Sequence, residues 1–212
     1  MRFLKKIKKL VKHVLQVTNI PYYPHISNTS RIDSSVKVYC PENLYMGENT
    51  NINEGGVIMN TRAKFILKKW SGAAFGLTVV CGNHMSIAGK NHKQVTNKDK
   101  NLLDQYNDFD KDIIVDEDVW IASNVTLLSG VHLGRCCIVG SGSVVRGSIP
   151  PYAIVAGNPA KVIGFRFTPQ EALVHEESLF PPEQRMTLEE LKSNYNKYYI
   201  KRIKEIKSFI NI

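Results

Sequence analysis

The stretch VDEDVWIASNVTLLSGVHLGRCCIVGSGSVVRGSIP, Val115 to Pro150, repeats every six residues. Val115, Ile121, Leu127, Leu133, Val139 and Val145 hold the period without a slip. Four residues after each comes a second small or aliphatic side chain: Val119, Val125, Val131, Cys137, Ser143 and Ile149. A helix wants apolar residues every three or four positions, and a half-buried strand every second one. The observed period fits neither. It fits a parallel β-helix, where each hexapeptide forms one short flat side of a coil and turns its aliphatic residue inward. Only stacking buries those aliphatic columns, so many repeats must act together.

Upstream the period is less regular. Ile26, Ile32, Val38 and Leu44 keep it; it slips by two to Met46, continues at Ile52 and Ile58, and resumes at Leu67, Ala73 and Val79. The run stops at His84. A polar stretch from about Met85 to Asp112, with Lys90, Asn91, Lys98, Asp99, Lys100, Asp104 and Asn107, has no apolar period. Stretches this long inside a compact domain are usually functional or disordered. An extended loop over 85–112 is therefore expected, and its position beside His84 points to a functional one.

The ends read as helices. Phe3, Leu4, Ile7, Leu10, Val11, Val14 and Leu15 form an apolar stripe opposite lysines, as in an amphipathic helix over 1–20. Such a helix can cover the open end of a coil, which exposes backbone groups and apolar surface. It can also lie on an anionic membrane surface, where each basic residue contributes about 1 kcal/mol. After a coil domain over 21–167, a helical extension is expected over 168–212. Thr168-Pro169-Gln170-Glu171 reads as an N-cap, a first-turn proline and a capping-box glutamate. Thr187-Leu188-Glu189-Glu190 repeats the signature before a basic helix ending near Ile206.

Composition narrows the function. The net charge of +9 comes largely from the two ends, and without aromatic-basic interleaving or a nucleic-acid motif, nucleic acid is not expected as a partner. No apolar run approaches the ~20 residues of a membrane span, and lysines interrupt any signal-peptide core. A cytoplasmic location is expected, with the basic N-terminal helix as a candidate contact to the inner membrane face. The cysteines, Cys40, Cys81, Cys136 and Cys137, lack metal-ligand spacing and read as free thiols, with Cys137 inward in its repeat.

Three stretches carry a resemblance to a known family: VCGNHM at Val80 to Met85, VDEDVWIASNVTLLSGVHLG at Val115 to Gly134, and GSGSVVRGSIPPYAIVAGNPAKVI at Gly140 to Ile163. Over about Ile26 to Phe167 the chain resembles the hexapeptide-repeat acyltransferases, and within them the sugar and polysaccharide O-acetyltransferases more than the serine or xenobiotic branches. The resemblance implies a left-handed parallel β-helix, a homotrimer with sites between neighbouring coils, and acetyl-CoA as acyl donor. The left hand is an exception to the usual right-handed crossover.

The chemistry follows residue by residue. A sugar hydroxyl is too weak an acid to ionise near neutral pH, so acyl transfer to it needs a base, and histidine suits the task. The resemblance puts that base at His84, at the end of a coil and the start of a loop. Asp110, Asp112 and Asp116 are all candidates to orient it. His92, in the loop, is an alternative base or a solvated residue. His132 reads as structural, and His13, His25 and His175 have no supporting constellation. Ser123 matches a family position near the thioester carbonyl, where a donor would stabilise an oxyanion; otherwise it is a turn serine bonding its own backbone. Trp120 matches a motif tryptophan and reads as packing.

The third stretch resembles the coenzyme A site, with the pantetheine arm beside Ala122, Gly140 and Ser141 and the phosphates near Lys161 and Arg146. Many relatives have Thr-Lys where this chain has Arg146-Gly147. Asn53, Glu54 and Asn83 match positions that meet the hydroxyl substrate. A carbonic-anhydrase class sharing the fold binds zinc through three histidines, two of them in a close His-x-x-x-x-His pair. No such pair is present, so no metal is expected. The sequence thus reads as an acetyl-CoA-dependent O-acetyltransferase acting on a sugar or cell-surface glycan. N-acetylation of an amino sugar and a non-catalytic β-helix scaffold are the alternatives.

Overall fold

The computed structural model describes residues 22–106 and 108–210. The expected N-terminal helix over 1–20 lies outside the described residues, as does Asn107. From His25 the chain winds through short strands that fall in turn on three sheets. The first turns are β1 (His25–Ile26), β2 (Arg31–Ile32) and β3 (Lys37–Val38). They are followed by β4 (Leu44–Met46), β5 (Asn51–Ile52), β6 (Val57–Met59), β7 (Phe65–Leu67), β8 (Gly72–Ala73) and β9 (Thr78–Val80). After the loop come β10 (Ile113–Val115), β11 (Trp120–Ile121), β12 (Thr126–Leu128), β13 (His132–Leu133), β14 (Ile138–Val139) and β15 (Val144–Val145). β16 (Ala153–Ala156) and β17 (Lys161–Phe165) close the coil.

Every third strand stacks on its predecessor. Sheet A is β1-β4-β7-β10-β13 and sheet C is β3-β6-β9-β12-β15. Sheet B runs β2-β5-β8-β11-β14-β16, with β17 added antiparallel at the end. All other pairings are parallel, as a coil that always advances in one direction requires. The regular block sets the register, with Val115 opposite Leu133, Ile121 opposite Val139 and Leu127 opposite Val145. Those six inward residues are buried, as are Val119, Val125, Val131, Cys137 and Ser143. The slip between Leu44 and Met46 has a simple cause: β4 is a three-residue strand that turns both ends inward. β7 and β10 do the same with Phe65 and Leu67, and with Ile113 and Val115.

Corners are made by residues with positive φ. At the corner from sheet A to sheet B these are Asn49, Trp70, Asp118, Cys136 and Tyr152, with φ of 54° to 65°. A bulky side chain there is unusual and stores strain, which the stacked turns hold in place. From sheet B to sheet C the same work falls to Gly55, Gly76, Asn124 and Gly142.

The stretch from Met85 to Asp112 differs from its expected form as a plain loop. It contains a helix, α1 (Asn97–Leu103), started by a capping box between Thr96 and Asp99. Beyond the coil, α2 (Pro169–Leu179) and α3 (Leu188–Tyr198) begin at the Thr168/Glu171 and Thr187/Glu190 capping boxes. The basic helix expected to run on to Ile206 instead breaks at Tyr199 (φ −121°, ψ −66°), and a final helix α4 spans Ile203–Ile210. α2 and α3 dock on the coil through Cys136, Tyr152, Ala172, Phe180 and Leu191. The fully buried Glu176 carboxylate anchors them, accepting from Tyr152 Oη at 2.8 Å, Arg135 Nη1 at 3.1 Å and the Met186 amide at 2.9 Å. All four cysteines are free. Burial pushes the Cys81 and Cys136 thiols up to about 12, and Cys137 rises with them.

The inward column carries the fold's stability. Leu127→Ala should lower unfolding free energy by about 2–5 kcal/mol, whereas Thr126→Ala, on the outer face of the same strand, should change it by less than about 1 kcal/mol. Chemical denaturation of the two variants checks this; similar losses would refute the inward-outward assignment.

Candidate functional site

His84 leaves the coil at the corner from sheet C to sheet A. Its side chain is exposed. It lines a cleft of about 230 Å³ with Arg62, Asn83, Lys100, Asp110 and apolar Met59, Val80, Met85 and Val95. The local backbone is tightly held. The Asn83 amide donates to Phe109 O at 2.7 Å, and Gly82 bridges Asp110 in antiparallel fashion. Gly82 is required there, because a Cβ would run into the Asp110 carboxylate. Lys111 N donates to Cys81 O at 3.1 Å, and the Ser129 hydroxyl, on the next coil's corner, donates to the same carbonyl at 3.0 Å. The loop thus leaves and rejoins the coil at one point.

An ion cluster stands beneath the cleft. Lys100, from α1, donates to Asn83 O at 2.6 Å and to Asp110 Oδ1 at 2.7 Å. Arg62 Nε donates to Asp110 Oδ2 at 2.7 Å, and its Nη2 to Asn101 Oδ1 at 2.7 Å. A buried carboxylate flanked by two cations compensates charge that would be costly alone. The cluster ties α1 to the residue next to His84. Further out, the Lys90 ammonium and the Thr96 amide and hydroxyl hold the Asp99 carboxyl down, to about 2.

None of the three aspartates considered as orienting partners bonds His84. Asp110 serves Lys100 and Arg62, Asp112 Oδ1 accepts the Lys64 amide at 2.7 Å, and Asp116 pairs with His132 at 2.7 Å and Lys68 at 2.7 Å. His92 is exposed and does not line the cleft. His132 is held on the outside of β13 by Asp116, and His25 stacks on Tyr45 at 4.3 Å.

The other singled-out residues divide between two edges of sheet C. Asn53, Glu54, Ala122, Ser123, Gly140 and Ser141 lie at the corner from sheet B to sheet C. Backbone bonds stack these turns: Gly76 N to Glu54 O (2.8 Å), Asn124 N to Phe75 O (2.9 Å) and Gly142 N to Ser123 O (2.9 Å). Lys161 opens β17 at the end of this edge. Asn83, His84 and Arg146 lie on the opposite edge, toward sheet A. One chain therefore does not bring His84 to Ser123.

The Ser123 hydroxyl makes no hydrogen bond among the described residues, unlike Ser143, whose Oγ donates to Gly140 O at 2.5 Å and accepts the Gly157 amide at 3.2 Å. The turn-serine alternative describes Ser143, not Ser123. Gly140 stacks so closely that an added Cβ would meet Ala156 Cβ and Val155 O at 3.2 Å. Coil packing alone therefore accounts for this glycine. Arg146 is exposed. Lys161 is exposed too, with Nζ 5.3 Å from the Phe209 ring of α4. Trp120, expected to pack, is 58% exposed within the chain. It faces a shallow groove with Trp70, Asn51, Gly72 and Arg166.

His175 has a constellation that the sequence did not reveal. Its ring, the Asp118 carboxylate and the Cys136 thiol come within 4.8 Å of one another. Arg166 already pairs with Asp118 at 2.7 Å, and the buried thiol stays protonated. A cation would have to displace the guanidinium, so the group works as an ion-pair junction holding α2 on the coil. Sequence reasoning also missed Arg62 and Lys100. Arg62 falls in the irregular corner between β6 and β7, and Lys100 is one of many loop charges; neither carries a motif.

Residues 112–147 match the family described as bacterial transferase hexapeptide (six repeats). A chloramphenicol acetyltransferase of Klebsiella aerogenes is 45% identical over 58 residues, 27% of this chain and 28% of that protein. A putative lipopolysaccharide biosynthesis O-acetyl transferase, WbbJ, of Escherichia coli K12 is 47% identical over 51 residues, 24% of this chain and 26% of that protein. The chain thus matches little more than a quarter of either relative's length. The matched segment is about as similar to a xenobiotic enzyme as to a polysaccharide one, so the repeat block does not separate those branches. A solved hexapeptide-repeat acetyltransferase of Vibrio cholerae, complexed with acetyl coenzyme A, superposes with a TM-score of 0.55 at 22% identity, over 68% of this chain and 71% of that one. The repeat block over 112–147 matches the hexapeptide-transferase family model, and the fold is the expected left-handed parallel β-helix followed by C-terminal helices.

If Lys100 fixes the backbone beside His84, Lys100→Met should speed hydrogen exchange of the Asn83 amide by about 10–100-fold, the loss of roughly one charge-assisted bond. Amides in β12 should be unchanged. Unaltered exchange at Asn83 would show that the lysine only fills space.

Proposed function

We propose that the protein transfers an acetyl group from acetyl-CoA to a hydroxyl of a sugar or cell-surface glycan, with His84 as general base. The observation that carries this reading is an exposed histidine at the mouth of a built cleft, in a fold shared with an acetyltransferase solved with its donor. The lining of the cleft, with Asn83, Thr61 and Asn97 beside Met59, Val80 and Met85, supports a glycan acceptor, because a sugar offers both hydroxyls and an apolar face. The chemistry needs no covalent enzyme intermediate. The His84 imidazole takes the acceptor hydroxyl proton as that oxygen attacks the thioester carbonyl carbon. The C–O bond forms, the C–S bond breaks, and the imidazolium returns its proton to the leaving thiolate. Ser123 would donate its free hydroxyl to the developing oxyanion, an interaction of the kind that contributes about 3 kcal/mol.

We infer that the working form is a homotrimer. His84 and Ser123 lie on opposite edges of sheet C, so a site with both needs the edges of two chains. The outer face of that sheet supports the contact: Val57, Met59, Val80, Leu128 and Val144 are only half-buried within one chain. In this reading Asn53 and Glu54 meet the acceptor from the Ser123 edge and Asn83 from the His84 edge. The pantetheine arm runs beside Ala122, Gly140 and Ser141 toward Lys161, and Arg146 approaches the phosphates from a neighbouring chain. Acetyl-CoA as donor sets the reaction in the cytoplasm. The basic N-terminal segment is a candidate contact to the anionic inner membrane face. No described helix is long and apolar enough to cross a membrane. Amino-sugar N-acetylation would use the same base, and a scaffold without activity would bind no coenzyme A.

His84→Ala should lower turnover by about 10²–10⁴-fold with acetyl-CoA affinity nearly unchanged, because a general base acts in the transition state. Near wild-type turnover would remove His84 from the mechanism; a dead His92→Ala variant would transfer the role to the loop histidine. Lys161→Ala should weaken acetyl-CoA by more than it weakens the analogue lacking the 3′-phosphate. Equal losses, measured by titration calorimetry, would show that Lys161 does not read that phosphate.

A further inference from the structure

We propose that the acceptor is an acidic sugar whose carboxylate is taken by Arg62 in the cleft beside His84. This rests on the acyl-transfer reading above. Apart from His84, the charged side chains lining the cleft are Arg62, Lys100 and Asp110, a surplus of one positive charge on this chain's side of the site. The surplus is also the accessible part. The Arg62 side chain keeps 29% exposure, against 10% for Lys100 and 5% for Asp110.

The hydrogen-bond ledger singles out the same group. Both Asp110 oxygens are engaged, one by Lys100 and one by Arg62. Lys100 directs two of its three donors to Asp110 and the Asn83 carbonyl, and its side chain is only 10% exposed. Arg62 commits Nε to Asp110 and Nη2 to Asn101, which leaves Nη1 without a partner among the described residues. Two fixed bonds pre-orient the guanidinium, and a planar guanidinium edge suits a carboxylate. The rest of the lining suits a sugar ring: Asn83, Thr61 and Asn97 offer hydrogen bonds, and Met59, Val80 and Met85 offer an apolar face. A neutral sugar would use that lining and leave the surplus cation unmatched. A phosphate monoester, carrying a charge of about −1.5 to −2, exceeds the surplus. A single carboxylate balances the surplus on the His84 edge; Glu54, which meets the acceptor from the other edge, does not line this cleft and is not a partner of Arg62 within the chain.

The test uses the full-length protein with acetyl-CoA and four acceptors: a hexuronic acid glycoside, its methyl ester, the matching neutral hexoside and a hexose phosphate. The expected result is a kcat/KM about 10–100-fold higher for the acid than for its ester, the discrimination of one charge-assisted hydrogen bond, and falling with added salt. In Arg62→Met the acid-to-ester ratio should drop toward one, and Arg62→Lys should keep part of it. Equal wild-type rates on acid and ester would overturn the proposal. So would a preference for the phosphate, an unchanged ratio in Arg62→Met, or a rise in acetyl-CoA KM as that variant's main defect. If Arg62→Met does not fold, the wild-type ratio and its salt dependence decide alone. No transfer to the acid while acetyl-CoA binds overturns the acidic-acceptor proposal; failure to bind acetyl-CoA overturns the acyl-transfer reading itself.

Discussion

Burial of the inward aliphatic column is the constraint on which the rest depends. A two- or three-residue strand has almost no stability alone. Stacked in parallel, with Val115, Ile121, Leu127, Leu133, Val139 and Val145 all buried, such strands become one core. The requirement that each hexapeptide turn a corner follows from it. Corners bring positive φ at Asp118, Asn124, Cys136 and Gly142, and stacked corners create straight edges. The proposed chemistry lives on those edges. Ser123 and the small residues Ala122, Gly140 and Ser141 share one, and His84 stands on the other. Sheet C between them separates the two groups that the proposed reaction would join, which is why the proposal calls for assembly.

The loop from Met85 to Asp112 extends the edge of His84 into a cleft. Its contribution is ionic as well as steric. Lys100 reaches back from α1 to the Asn83 carbonyl, and Asp110 locks both Lys100 and Arg62. A cluster of this kind contributes little net stability after desolvation, yet removing one member leaves an uncompensated buried charge. It fixes a geometry, and the geometry concerns Asn83, the residue beside His84.

Legibility from sequence followed regularity. The perfect period from Val115 to Val145 specified the coil, its inward column and its register, because each of those residues reports one corner-to-corner interval. The upstream repeats were harder, since β4, β7 and β10 each turn two side chains inward and lengthen the coil. Capping boxes at Thr168 and Thr187 were readable because they are local hydrogen-bond patterns. Long-range partnerships were not. Nothing local tells Lys100 that it will meet Asn83, Asp118 that it will hold Arg166 and His175, or Trp120 that its side of the coil will stay open. His84 was singled out through its motif, but no orienting partner was legible, and the three candidate aspartates near it are all engaged elsewhere.

In the proposed trimer one chain supplies the His84 edge and another the Ser123 edge of each site. Co-assembly of His84→Ala and Ser123→Ala chains, carrying different affinity tags and purified through both, tests this arrangement directly. Each mixed oligomer then holds an interface where an intact His84 edge faces an intact Ser123 edge. Mixed oligomers should transfer acetyl at a rate well above that of either parent variant. Activity no higher than the parents' average would mean that both residues act within one chain or that one of them does not act, and would contradict the arrangement.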